Sequence, residues 1–344
     1  MVAIPFRTER YESRLLDPAG DGGPRSAPVE VRWDPLTGRT VHLSHFGAVS
    51  PQPLDLAAYE TPQVRGHCPF CPPGREQETP RFPPDLLPEG RLRRGEALLF
   101  PNLYPYDAYG AVVVLTHEHV VPLGRLGGRR LEDALGLGLA FLERTRRVAE
   151  DHPYPLMAWN YMPPSGGGLV HPHQQWFRMK HPGNLYVEQA RACRRFRQRW
   201  GREYWAALAE AEAQQGERFV ATLGTGQWLS AFAPLGLLGE VLAVFPGVFT
   251  PSQFARACVT DLVAGADRVF LYFENRGIHS FNAALFLAPE GDAAFSAHLR
   301  IVPRTFLNLR DYATDWNFFQ TLLQEPVGTV WPEALCRELR AYFS

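Results

Sequence analysis

The chain has 344 residues, 45% hydrophobic and 21% charged, with 35 basic against 36 acidic side chains and a formal net charge of −1. Such a length accommodates a large core and about two domain-sized units, and the composition excludes a fibrous or wholly disordered chain. No net field attracts polyanions, so neither nucleic acid nor a membrane surface is an expected partner, and an anionic ligand must be held by local groups.

Residues 1–28 are rich in Gly, Pro, Asp and Arg without sustained periodicity and are expected as a flexible arm, with the fold beginning near Val29. The chain opens without an apolar signal-peptide core, and no run approaches roughly 20 uncharged apolar residues, so a cytoplasmic location is expected. Segments 29–33 and 40–43 flank Asp34-Pro35-Leu36-Thr37-Gly38-Arg39, whose turn-forming pairs predict a hairpin. Segment 52–90 is proline-rich and irregular. A loop of that length in a compact domain needs a reason, such as a metal clip or a binding role.

Segments 97–100 and 111–116 read as buried strands, 131–150 as an amphipathic helix, 156–160 and 174–179 as further strands, and 186–215 as one long polar helix. Strands at 219–223, 228–233 and 240–245, a helix at 253–265, and strands at 280–287 and 298–302 then repeat the rhythm. The pattern predicts two similar α+β halves.

The strongest local signal is His171-Pro172-His173-Gln174-Gln175, preceded by Ser165-Gly166-Gly167-Gly168. Consecutive glycines let backbone N–H groups approach an anion closely, and histidines two apart on a strand face the same way. A neutral imidazole is a good phosphorus nucleophile near pH 7 once a hydrogen bond fixes its tautomer, and a backbone carbonyl near His171 is placed to supply that bond to His173. The second signal is Cys68-Pro69-Phe70-Cys71-Pro72-Pro73-Gly74, half of a tetrahedral zinc site. No second Cys-x-x-Cys exists, so the other ligands must be histidines, with His117, His119 and His171 as candidates. Gly224-Thr225-Gly226 lacks the spacing of a dinucleotide loop, no Walker-type phosphate loop is present, and the arginines of 194–199 wrap around a helix as a solvated face.

These residues resemble the galactose-1-phosphate uridylyltransferase family of the histidine-triad superfamily. The markers fall in the family's order: Asp34-Pro35-Leu36-Thr37-Gly38, Cys68-Pro69-Phe70-Cys71-Pro72, Pro101-Asn102-Leu103-Tyr104-Pro105, His117-Glu118-His119, Asn160 and the histidine run. The resemblance implies an α+β chain of two histidine-triad-like halves around a largely antiparallel sheet. The first half, 29–183, would hold zinc and nucleophile; a linking helix and the second half would occupy 184–344. It further implies a homodimer.

By the same resemblance His173 is the nucleophile, His171 a zinc ligand whose carbonyl orients it, and Gln175 the residue gripping the phosphoryl group. Cys68, Cys71 and His119 would complete one structural zinc site per chain. Asn160 would lie near the phosphates with Ser165, Gly166, Gly167 and Gly168, and Phe70, Asn102 and Tyr104 would line the nucleoside pocket. The implied reaction moves a nucleoside monophosphate between a nucleotide sugar and a sugar 1-phosphate through a covalent nucleotidyl-histidine. The alternatives are a phosphorylase or hydrolase using the same histidine, and a non-catalytic nucleotide-binding paralogue.

Departures from the family are also specific. The basic stretch expected after the hairpin reads His45-Phe46-Gly47-Ala48-Val49-Ser50-Pro51, without arginines. The late His-x-His of a second metal site reads His298-Leu299-Arg300, with Phe286 at another histidine position, so no second metal is expected. A family lysine is replaced by Thr314 ahead of an altered sugar-recognition segment, and galactose 1-phosphate therefore does not carry over as the substrate.

Overall fold

The computed structural model describes residues 3–18, 22–44 and 49–344. The arginine-free stretch at 45–48 lies outside the described residues. Strands β1 (Thr8–Leu16), β2 (Pro24–Trp33) and β3 (Thr40–Ser44) form an antiparallel meander. The hairpin expected around Asp34 is present: Asp34 Oδ1 accepts from the Thr37 backbone N–H at 2.7 Å and Gly38 (φ 78°) completes the turn. The expectation of a flexible arm is corrected. Segment 8–16 pairs along its whole length with β2, and backbone pairing, not side-chain burial, holds it, since every residue of β1 is exposed. That is why no hydrophobic period announces it.

The 52–90 segment is irregular except for a short 3-10 helix at Leu56–Tyr59 and for α1 (Pro62–Gly66) and α2 (Gly74–Gln77), each about one turn long, which bracket Cys68 and Cys71. Strands β4 (Leu92–Arg94), β5 (Ala97–Pro101) and β6 (Tyr109–Val114) follow, then helix α3 (Gly128–Thr145) and strands β7 (Tyr154–Tyr161) and β8 (His173–Met179). The expected single helix at 186–215 is two, α4 (Asn184–Trp200) and α5 (Tyr204–Gln215). Gly201, at φ 67°, ends the first with a left-handed cap that donates to Arg197. The second half then runs β9 (Phe219–Leu223), β10 (Gly226–Ser230), β11 (Val241–Val244), α6 (Pro251–Ala257), α7 (Val259–Asn275), β12 (Ser280–Phe286) and β13 (His298–Arg304). A tail of β14 (Phe306–Asn308), β15 (Ala313–Thr314), α8 (Phe318–Thr321), β16 (Val327–Gly328) and α9 (Pro332–Phe343) closes the chain, with β16 joining the N-terminal meander beside β3.

The main sheet has ten strands in the order β4-β5-β6-β8-β7-β12-β13-β11-β10-β9 and is antiparallel throughout. Each half contributes three strands, a helical crossover and two more strands, with the last two inserted in the same reversed order. The halves meet at β7 and β12. His173 opens β8 opposite Val114, the last residue of β6; His298 opens β13 opposite Val244, the last residue of β11. The two histidines therefore hold one register position, once in each half.

Alternation along the strands assigns two faces. Trp176 and Trp228 point towards α3 and α7, where Gly138 and Gly265 admit them: a Cβ would lie 1.9 Å from Trp176 at Gly138 and 2.0 Å from Trp228 at Gly265. On the opposite face α4 and α5 cover the second half with a cluster including Tyr186, Trp205, Leu229 and Phe295. On the first half of that face the Cys68–Cys71 turn and Leu169 of the 162–172 loop pack on Leu98, Phe100, Val112 and Val114. His173 and Gln175 look into the space that remains.

Candidate active site and metal centre

Four buried side chains from three separate segments, Cys68, Cys71, His119 and His171, place their ligand atoms within 4.8 Å of one another. The Cys71 sulfur lies 3.2 Å from His119 Nδ1 and 3.5 Å from His171 Nδ1, and the Cys68 sulfur lies 3.8 Å from His171 Nδ1. A tetrahedral zinc with two sulfurs and two imidazole nitrogens has S···N edges of about 3.5 Å. The donor set thus fits a closed four-ligand ion. His171 Nε2 donates to the Thr116 carbonyl at 3.0 Å, which leaves Nδ1 as the lone pair facing the thiols. Burial and the neighbouring Cys68 push the Cys71 thiol up to about 11, and burial pushes His171 down to about 3, which keeps the imidazole neutral. Of the three histidines open to the sequence, the exposed His117 is the one left out; its backbone N–H is held by Glu96.

The same segment that carries His171 also fixes His173. Its Nδ1 donates to the His171 carbonyl at 2.7 Å, so in the neutral ring Nε2 carries the lone pair. Enclosure lowers the pKa of His173, which keeps the ring neutral at pH 7. Phe70, at the tip of the Cys68–Cys71 turn, packs edge-on against His173 at 5.2 Å and against Phe100 at 5.5 Å. The Cys68–Cys71 turn, its aromatic tip and the imidazole therefore form one packed unit.

Gln175 stands two residues along β8 from His173, on the same face. Ala158 pairs with Gln175, so two residues further along each strand Asn160 is level with His173. Asn160 is exposed and accepts a 2.7 Å bond from Asn282 of β12. Ser165 is buried, with its hydroxyl turned back to the Met162 carbonyl. Gly166, in the left-handed region at φ 83°, commits its N–H to the Pro163 carbonyl at 2.9 Å, so the backbone donors of the loop reduce to Gly167 and Gly168. The three residues expected to line a nucleoside pocket differ in placement. Phe70 faces the site, Asn102 buries its Nδ2 with no protein partner, and Tyr104 is 84% exposed with its ring in solvent.

A cavity of about 780 Å³ opens beside the loop, bounded by Ser165, Gly166, Asn282, Arg304, Asp315 and Trp316. Sequence reasoning named only the first two. Asn282 is a lone amide in an apolar strand, and Arg304 and Asp315 form no short motif; their partnership exists only once β12, β13 and the 305–316 segment are assembled. Thr314, the replacement noted in the sequence, also lines this cavity. At the matching position of the second half, His298 donates Nδ1 to the Ser296 carbonyl at 2.9 Å but is sealed under Trp205, Phe286 and Phe295, and Arg300 is paired with Glu240.

An uncharacterised protein of Archaeoglobus fulgidus is 30% identical over 345 residues, covering 99% of each chain. The chain belongs to the same family as that archaeal protein. No protein-family model matches it. Among solved structures, a galactose-1-phosphate uridylyltransferase-like protein of Arabidopsis thaliana superposes with a TM-score of 0.65 at 18% identity, covering 90% of this chain and 98% of its own. An ADP-glucose phosphorylase of the same plant with bound ADP-glucose gives 0.64 at 18% identity over 91% and 98%, and a uridylyltransferase gives 0.63 at 19% over 91% and 98%. The fold is that of the galactose-1-phosphate uridylyltransferase-like proteins. Among the described residues no helix is long and apolar enough to cross a membrane.

Proposed function

We propose that the protein is a nucleotidyltransferase that takes a nucleoside monophosphate from a nucleotide sugar onto His173 and hands it to a second phosphate-bearing acceptor. The observation that carries this reading is the 2.7 Å bond from His173 Nδ1 to the His171 carbonyl, which leaves Nε2 as a fixed, unprotonated nucleophile. In the first step the Nε2 lone pair forms a bond to the α-phosphorus and the bond to the bridging oxygen breaks, so the sugar 1-phosphate leaves with that electron pair. In the second step an acceptor phosphate oxygen attacks phosphorus and the P–N bond breaks, restoring the neutral ring. No proton need leave Nδ1 in either step, and the His171 carbonyl offsets the charge the ring gains while nucleotidylated.

Gln175, Asn160 and the N–H groups of Gly167 and Gly168 are the groups to which we assign the phosphoryl oxygens, in place of the arginines missing from 45–51. The cavity beside Gly166 is the space for the sugar phosphate or acceptor. Cys68, Cys71, His119 and His171 would hold one structural zinc, whose chemistry is to pin the turn carrying Phe70 and the backbone that orients His173.

A sugar 1-phosphate and inorganic phosphate present the same attacking oxygen, so transferase and phosphorylase share this mechanism. Water is disfavoured because the Gln175 amide cannot titrate to serve as a proton donor. Uridine and adenosine nucleotide sugars incubated with inorganic phosphate, with sugar 1-phosphates and with buffer alone distinguish the cases. Nucleotide transfer to a phosphate acceptor supports the reading; release in buffer at the same rate makes the enzyme a hydrolase, and no turnover with measurable binding makes it a nucleotide-binding paralogue.

A further inference from the structure

The part of the second half that lines the cavity also converges on Asn160. Asn282 is the cross-strand partner of Asn160, and its Nδ2 donates to Asn160 Oδ1 at 2.7 Å and to the Ser165 carbonyl at 2.9 Å. On its other side Asn282 Oδ1 accepts from Arg304 Nη1 at 2.5 Å. Arg304 is held in turn by the buried Asp315 through Nε and Nη2, at 2.6 to 3.0 Å.

One residue sets the direction of this whole chain of bonds. A guanidinium has donors and no acceptor, so the Asn282 atom facing Arg304 is the oxygen and its nitrogen faces Asn160. Asn160 must answer with its own oxygen, which turns its Nδ2 the other way. An isolated asparagine exchanges oxygen and nitrogen by a simple rotation of the amide. Here that exchange sets N–H against guanidinium N–H and oxygen against oxygen, losing bonds at both ends. Asn160 is level with His173, and the atom it has left to offer there is a donor.

We propose that Arg304, acting through Asn282, is a positioning residue that fixes Asn160 as a hydrogen-bond donor to the phosphoryl group carried between substrate and His173. This rests on the histidine mechanism proposed above and supplies one means of holding phosphate without the missing arginines. Reversed, the same amide presents a lone pair to an anion and repels it. Asp315 neutralises Arg304, so the guanidinium steers the amide without capturing the phosphate itself.

Asn282→Asp keeps the size and the bond to Arg304 but has no N–H, so Asn160 rotates to donate into the new carboxylate and turns its oxygen to the site. The rate at which labelled nucleotide is loaded onto the full-length protein should fall on the order of 10²-fold, with zinc content and melting temperature close to wild type. Asn282→Ala, which removes the steering without imposing the reverse orientation, should fall between the two. In an Asn160→Ala background the Asn282→Asp loss should shrink to less than about threefold, because the residue it acts through is gone. An equal loss in both backgrounds, a wild-type rate in Asn282→Asp, or Asn282→Ala at or below Asn282→Asp each overturns the relay while leaving the histidine mechanism intact. A wild-type protein that never takes up label overturns the mechanism and this inference with it.

Discussion

At the scale of the residue, the contrast between His173 and His298 shows what environment does to one side chain. Both donate Nδ1 to the carbonyl two residues earlier, at 2.7 and 2.9 Å. His173 is half-buried, whereas His298 is fully buried, stacks on Phe286 with ring centroids 4.8 Å apart and has no partner for Nε2 among the described residues. Burial lowers the pKa of His298 to about 3. The unfolded chain therefore binds a proton between about pH 3 and 6.5 that the folded chain refuses. Stability is fully present above pH 6.5 and declines as pH falls through that window. Denaturant melts at pH 7 and pH 5 should show wild type losing about 2 kcal/mol more than His298→Phe over that interval. Equal losses in the two proteins would mean that His298 titrates normally and that water reaches its pocket. The same contrast explains what could be read in advance: His173, Cys68 and Cys71 sit in short motifs with a chemical signature, whereas the partners of Asn282 lie 122 and 22 residues away.

At the scale of the element, the Cys68–Cys71 turn is the smallest structure on which the site depends. It joins two of the four side chains that could hold a metal ion to Phe70, and Phe70 to His173. Metal analysis of the purified protein should return close to one zinc per chain, and Cys68→Ser should lower both the zinc content and the melting temperature, the latter by at least about 5 °C. A metal-free protein that melts like wild type would remove the reason for the pair. Periodicity located the strands of both halves other than the short β4 but missed breaks that depend on a single residue: Gly201 between α4 and α5, and the junction at Cys258 between α6 and α7, which stood as one helix at 253–265. It missed β1 because a strand exposed on all nine residues has no buried period to display.

At the scale of the whole molecule, the repeat is plain in topology and faint in sequence. Each half preserves strand order and the register of one histidine, while the surroundings of that histidine differ, the candidate site in one half and an aromatic core in the other. We expect a homodimer, and light scattering should then report about 77 kDa, twice the 38.7 kDa chain; a 38.7 kDa particle at micromolar concentration would refute it. The central claim concerns His173, and its most direct measurement is the mass of the intact protein after brief mixing with a nucleotide sugar and an acid-free quench. Wild type should gain one nucleoside monophosphate, lose it on addition of a phosphate acceptor, and His173→Ala should gain nothing; turnover by wild type with no adduct at any time, or an adduct that persists in His173→Ala, would contradict the account.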